Sequence, residues 1–136
     1  MRANMAKNKM FRQFIKFCLV GFGNTLIDYA VYIFFSRYLG WYFLYANIMA
    51  ILVALTFSFF INKYWTFNNN ENKLPSQYLK FFLVSAVYFV LNNSIVFVLV
   101  KYLAVFDLAA KVIAIIIGLF WNFFAHKYWT FKVKGQ

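Results

Sequence analysis

Four apolar runs, each about twenty residues or slightly more, leave this chain little scope to fold in water. They cover residues 14–37, 43–62, 78–101 and 107–126. At 1.5 Å per residue each is long enough, as a helix, to cross a hydrocarbon core of about 30 Å. Inside lipid a spanning segment must satisfy its own backbone hydrogen bonds, and continuous apolar runs of this length do so as helices. The composition agrees. Of 136 residues 65% are hydrophobic and 12% charged, whereas a soluble domain carries about a quarter charged residues. The expected fold is therefore all-α and integral to the membrane, with four transmembrane helices.

The connections are uneven. Runs one and two are joined by residues 38–42 and runs three and four by residues 102–106, both too short to hold a domain. The middle connection, residues 68–77 (NNNENKLPSQ), is the hydrophilic stretch and contains the sole proline. Lys and Arg counts near the run ends set the orientation. Arg2, Lys7, Lys9, Arg12, Lys16, Lys63, Lys73, Lys80, Lys127, Lys132 and Lys134 fall on one side, and Arg37, Lys101 and Lys111 on the other. The expectation is that both termini and the middle loop are cytoplasmic. A net charge of +11 would ordinarily raise nucleic acid as a partner, but here it reflects scarcity of acids: Asp28, Glu71 and Asp107 are the only three. The cations lie in clusters separated by apolar runs, so no nucleic-acid surface is expected. The N-terminal basic segment and the apolar run after it read as a retained first helix rather than a cleaved signal. One cysteine, Cys18, excludes an intrachain disulfide.

An offset of 64 positions aligns residues 14–67 with 78–131 without a gap, and about 18 of the 54 positions are identical. The sharpest match is FFINKYWTF (59–67) with FFAHKYWTF (123–131). The chain reads as two helical hairpins. Each copy holds two spans, so both enter from the same face, which predicts a parallel repeat rather than an inverted one. The second helix of each hairpin carries small residues every fourth position: Ala46, Ala50, Ala54 and Ser58, then Ala110, Ala114 and Gly118. That spacing predicts close helix packing.

Polar side chains at membrane depth are costly and require a reason. Asn24 and Asp28 are spaced i, i+4 on one helix face. Asn24 lies about 15 Å beyond Phe14 along the helix axis, and Asp28 about 6 Å further. Asn92 and Asn93 stand at the equivalent depth of the third span. The cytoplasmic ends of spans two and four supply Asn62, Lys63, Asn122, His126 and Lys127. Amides and a carboxylate can bond sugar hydroxyls, while Lys neutralises phosphate; a polar cavity of this kind suits a ligand with both. Alternatively, the amides bond across helices, and Lys16, Lys63, Lys80 and Lys127 snorkel to the interface. Asp28 has the strongest functional claim. There is no nucleophile–base set, metal-ligand spacing or phosphate-cradling glycine loop. The expectation is a protein that is not an enzyme and has no metal or cofactor.

The repeated F-F-x-x-K-Y-W-T-F endings, the opening formed by Leu19, Val20, Gly21, Asn24, Thr25 and Asp28, and the four-span layout resemble the GtrA-like family over residues 11–132. The resemblance implies a small bacterial membrane protein of surface polysaccharide and teichoic acid glycosylation. Such a protein would move an undecaprenyl-phosphate-linked sugar from the cytoplasmic to the outer leaflet for a membrane glycosyltransferase. Gly21, Asn24, Thr25, Asp28, Asn62, Lys63, Trp65 and Phe67 match the motif positions. The second copy departs from them, with Ser85, Tyr88, Phe89 and Asn92 replacing the opening and His126 replacing Asn62. The expected function is a polyprenyl-phosphate sugar translocase in the bacterial cytoplasmic membrane, its two hairpins lining one asymmetric path. Lys63 or Lys127 would hold the phosphate. A non-transporting partner of a glycosyltransferase and a small proton-coupled exporter using Asp28 are the competing readings. Four helices make a thin wall around a sugar phosphate, so a homo-oligomer is a further expectation.

Overall fold

The computed structural model describes residues 1–132; Lys134, counted above with the cytoplasmic cations, lies outside the described residues. Four long helices account for the four apolar runs: α1 (Arg2–Ile33), α2 (Phe43–Ile61), α3 (Leu74–Lys101) and α4 (Asp107–Ala125). All four, with their terminal turns, are long and apolar enough to cross a membrane. No strand occurs among the described residues. The chain is a multi-pass membrane protein.

Several boundaries differ from the sequence reading; α3, for one, begins at Leu74, so the proline of the middle connection lies in its first turn rather than in the loop. The first helix starts at Arg2 rather than near Phe14, so the basic segment is helical. Hydropathy could not reveal this, because the extension is polar and gains its helicity from continuity with α1. In addition, three helices close in π turns: Phe34–Tyr38 after α1, Asn62–Thr66 after α2 and His126–Thr130 after α4. The last two begin 64 residues apart and contain the repeated KYWT. The repeated motif thus marks a special backbone. π turns are rare and concentrate at functional or strained places.

The chain divides into two compact units, residues 1–70 and 71 onward, each a helical hairpin. In the first, α1 packs on α2 along the predicted stripe, with Ala46 and Ala50 fully buried and Ala54 nearly so. In the second, α3 packs on α4, where Ala110, Ala114 and Gly118 are buried in the same way. Small side chains allow backbones to approach where lipid supplies no hydrophobic drive. Equivalent side chains make equivalent contacts in the two units. Phe17 meets Phe67 at 6.3 Å between ring centroids, and Phe81 meets Phe131 at 6.1 Å. The Lys16 ammonium lies 5.1 Å from the Trp65 ring and that of Lys80 lies 5.5 Å from the Trp129 ring. Each pair fastens one helix to the end of its hairpin partner, and cation–π attraction contributes about 0.5–2 kcal/mol according to exposure.

The hairpin turns are also alike. Trp41 N–H donates to Phe35 C=O at 3.0 Å, and Val105 N–H to Leu99 C=O at 2.9 Å. Each bond spans one residue more than the 6→1 bond of a Schellman cap, and, as in that cap, the residue before the donor adopts the left-handed conformation. Gly40 does so in the first unit at φ +67°, and Ala104 in the second at φ +52°. A β-carbon makes that conformation unfavourable by roughly 1–2 kcal/mol, while glycine adopts it freely at some cost in unfolded-chain entropy. Ala104→Gly is therefore expected to raise stability by about 0.5–1 kcal/mol and Gly40→Ala to lower it by about as much. Thermal unfolding in detergent, followed by circular dichroism, checks both signs.

Candidate functional site

Asn24 and Asp28, in the last third of α1, project from one face because four residues are about one helical turn. Together with Thr25 they face Ile51, Ala54 and Leu55 of α2 across a recess of about 200 Å³. At about 30 Å³ per water this holds several water-sized groups. The small side chain of Ala54 leaves the space open. Thr25 Oγ1 donates to Gly21 C=O at 3.1 Å and so is partly satisfied within its own helix. Asn24 Oδ1 and Asp28 Oδ1 are buried and have no hydrogen-bond partner among the described residues. A buried unsatisfied acceptor costs about 1–3 kcal/mol, more when charged. A donor group placed in the recess would offset that cost.

In the second unit the same place is closed. Tyr88 stands where the first unit has Asn24, and Gly118 where it has Ala54. The Tyr88 ring lies so close over Gly118 that a β-carbon there would collide with it. Asn92, which corresponds to Asp28, is half-buried. Asn93 is exposed and donates to Phe89 C=O at 2.8 Å. It borders a separate, wider cleft of about 820 Å³ with Lys101 and Asp107. Asn122 is half-buried, with Oδ1 unpartnered among the described residues.

The residues at the helix ends are built into the hairpins. Asn62 is 1% exposed; its amide donates to Ser58 Oγ at 3.2 Å and its carbonyl accepts from Thr66 Oγ1 at 2.9 Å. That ladder holds the π turn. Lys63 is likewise 1% exposed, and its ammonium donates to Asn69 Oδ1 at 2.9 Å. The expectation that Lys63 snorkels to the interface is thus corrected: its side chain turns inward. Asn69 meets it because the left-handed Asn68 reverses the chain, letting Asn69 N–H donate to Lys63 C=O at 2.8 Å. Lys63 and Asn69 therefore close a small ring of backbone and side chain. In the second unit His126 is 2% exposed, stacks on Phe81 at 4.3 Å and shares a hydrogen bond of 3.1 Å with Thr130 Oγ1 through Nδ1. Lys127 is half-buried, 5.8 Å from the Phe123 ring.

Of the sequence-predicted site residues, then, Asn24 and Asp28 share one recess, and Asn62 and Lys63 are both buried at the end of α2, each bonded to its own partners. The second unit distributes its own residues among several environments. Lys9 and Arg12, which the sequence offers only as orientation signals, line a second recess of the first unit. With Lys16 they lie on one helix face, a spacing visible only once α1 is extended to Arg2.

The transmembrane-domain model of the GtrA/DPMS family matches residues 16–131. The chain belongs to that family. The match takes in both units and begins at Lys16, so the recess and both π turns lie inside it. Membership is consistent with a membrane protein of glycosylation that works with polyprenyl-linked sugars. No curated protein matches the chain.

Proposed function

We propose that this GtrA/DPMS-family protein is a translocase for a polyprenyl-phosphate-linked sugar in the bacterial cytoplasmic membrane. It has no chemical step of its own and passes the sugar to a membrane glycosyltransferase. The charge asymmetry of the helix ends favours cytoplasmic termini.

The observation that carries the reading is the pair of unpartnered acceptors, Asn24 Oδ1 and Asp28 Oδ1, beside one recess in the middle of an apolar hairpin. Sugar hydroxyls donate to such oxygens, and an ionised carboxylate accepts more strongly than an amide. A headgroup crossing lipid loses its water, so groups at mid-depth that replace those bonds lower the barrier. The prenyl chain needs no groove, because it stays in hydrocarbon throughout.

Asp28→Ala is expected to reduce transport of a polyprenyl-phosphate hexose in proteoliposomes to background. Asp28→Asn should leave a residual rate about tenfold to a hundredfold lower, matching the ~1.5–3 kcal/mol of a hydrogen bond to a charged group. Wild-type rates in both variants sink the proposal. Wild-type protein that moves no lipid headgroup alone but restores activity to a co-reconstituted glycosyltransferase turns the reading to the non-transporting partner. Mass spectrometry of lipids that co-purify with the chain reads the substrate class directly.

A further inference from the structure

The first hairpin has a second recess, of about 610 Å³, between the early turns of α1 and the π turn Asn62–Thr66. Lys9, Arg12 and Lys16 form one wall; Trp65, Thr66 and Asn68 stand on the other. None of the residues lining it is acidic. We propose that this recess binds a phosphate oxyanion.

Positions 9, 12 and 16 are spaced three and four apart, which puts three cations on one face of a helix, where like charges repel. That repulsion acts beside a point anchored to the rest of the hairpin, Lys16. Lys16 is held by a 3.3 Å bond to Trp65 C=O and by the Trp65 ring. An anion between the walls offsets it. Phosphate fits the donors in kind: the Arg12 fork can bind two oxygens at once, and Lys9 and Lys16 act as point charges. Trp65 and the adjoining Tyr64 keep exposed rings at the rim, where amphipathic rings mark the headgroup zone of a membrane. A phosphate carried on a lipid would reach the recess without leaving the membrane surface.

Which lipid carries the phosphate rests on the translocase reading; the existence of the site does not. It also assigns a role that the inward-turned Lys63 leaves open, because the phosphate is then held by α1 rather than by the end of α2.

The test is equilibrium binding to the full chain in neutral detergent, read by native mass spectrometry. The probes are undecaprenyl phosphate, phosphatidylglycerol, inorganic phosphate and the uncharged undecaprenol. Two double variants remove the same net charge: Lys9→Gln with Arg12→Gln from the recess, and Arg2→Gln with Lys7→Gln from outside it. The first is expected to weaken undecaprenyl phosphate binding by about tenfold or more, from ~1 kcal/mol per cation near a membrane surface. The second should change it less than about twofold, and undecaprenol should be indifferent to both. Arg12→Lys, which keeps the charge and disturbs the fold least, should retain most of the affinity. Equal losses in the two double variants, or no loss in the first, overturn the site in favour of diffuse surface charge. Loss with both lipids assigns the site to lipid phosphate in general, loss with undecaprenyl phosphate alone to the polyprenyl carrier, and binding of inorganic phosphate alone to the free ion. Each of these last three supports the oxyanion site. A chain that binds but does not transport retains this site and loses the translocase reading, so the two fail separately.

Discussion

Asn24→Tyr combined with Ala54→Gly is expected to close the recess of the first hairpin and abolish headgroup transport while leaving the fold intact. The second hairpin already contains this arrangement: Tyr88 and Gly118 occupy the corresponding positions, and the ring rests directly on the glycine. The pair must change together. With Ala54 left in place, the introduced ring would meet a methyl group where the second unit has none, and overpacking of that kind costs about 1–3 kcal/mol. The single variant Asn24→Tyr should therefore unfold earlier than the double variant in a thermal melt. By the same argument Gly118→Ala alone should destabilise the second hairpin by about 1–3 kcal/mol. A well-folded double variant that transports at the wild-type rate would remove the recess from the path of the sugar.

The second large effect concerns Lys63. Its ammonium is buried and bonded to the buried Asn69. Asn69→Leu removes an acceptor and leaves the charge inside, which is expected to destabilise the hairpin by about 1.5–3 kcal/mol, the range for a hydrogen bond to a charged group. Replacing both partners by apolar groups of similar size relieves the problem, because a buried charge is costly mainly when its partner alone is taken away. Lys63→Met with Asn69→Leu should thus recover most of the loss. Denaturation midpoints of the two single variants and the double variant form a cycle that measures this coupling. Additive losses would show that Asn69 does not compensate the charge of Lys63.

Much of the architecture is legible from local chemistry. The four spans follow from run length. The buried face of α2 and α4 follows from small residues every fourth position, because helical periodicity puts them in one stripe. Asn24 and Asp28 likewise share a recess because they share a helix face. What was not legible depends on backbone conformation and on partners on other helices. Nothing near Lys63 distinguishes an inward-turned lysine from one that snorkels; the answer lies in Asn68, whose left-handed backbone delivers Asn69. The closure of the second hairpin depends on Tyr88 meeting Gly118, thirty residues later and on another helix. The basic wall of Lys9, Arg12 and Lys16 was hidden because α1 continues past the limit at which apolarity announces a helix. For the π turns a signal was present in the repeated KYWT, but identity alone reveals that a segment matters and not what backbone it adopts.

The π turns give residue spacing an importance that residue identity does not capture. Asn62–Thr66 and His126–Thr130 each hold a widened loop of backbone at the end of a spanning helix. If one residue were deleted between Phe59 and Phe67, the α-helix could run straight through. Everything beyond would then rotate by about 100° and shift by about 1.5 Å. Phe67 would leave the Phe17 ring, and Trp65 would swing away from Lys16, although neither side chain had been altered. Substitution scanning tests these ends one letter at a time; their geometry is written in the count of letters.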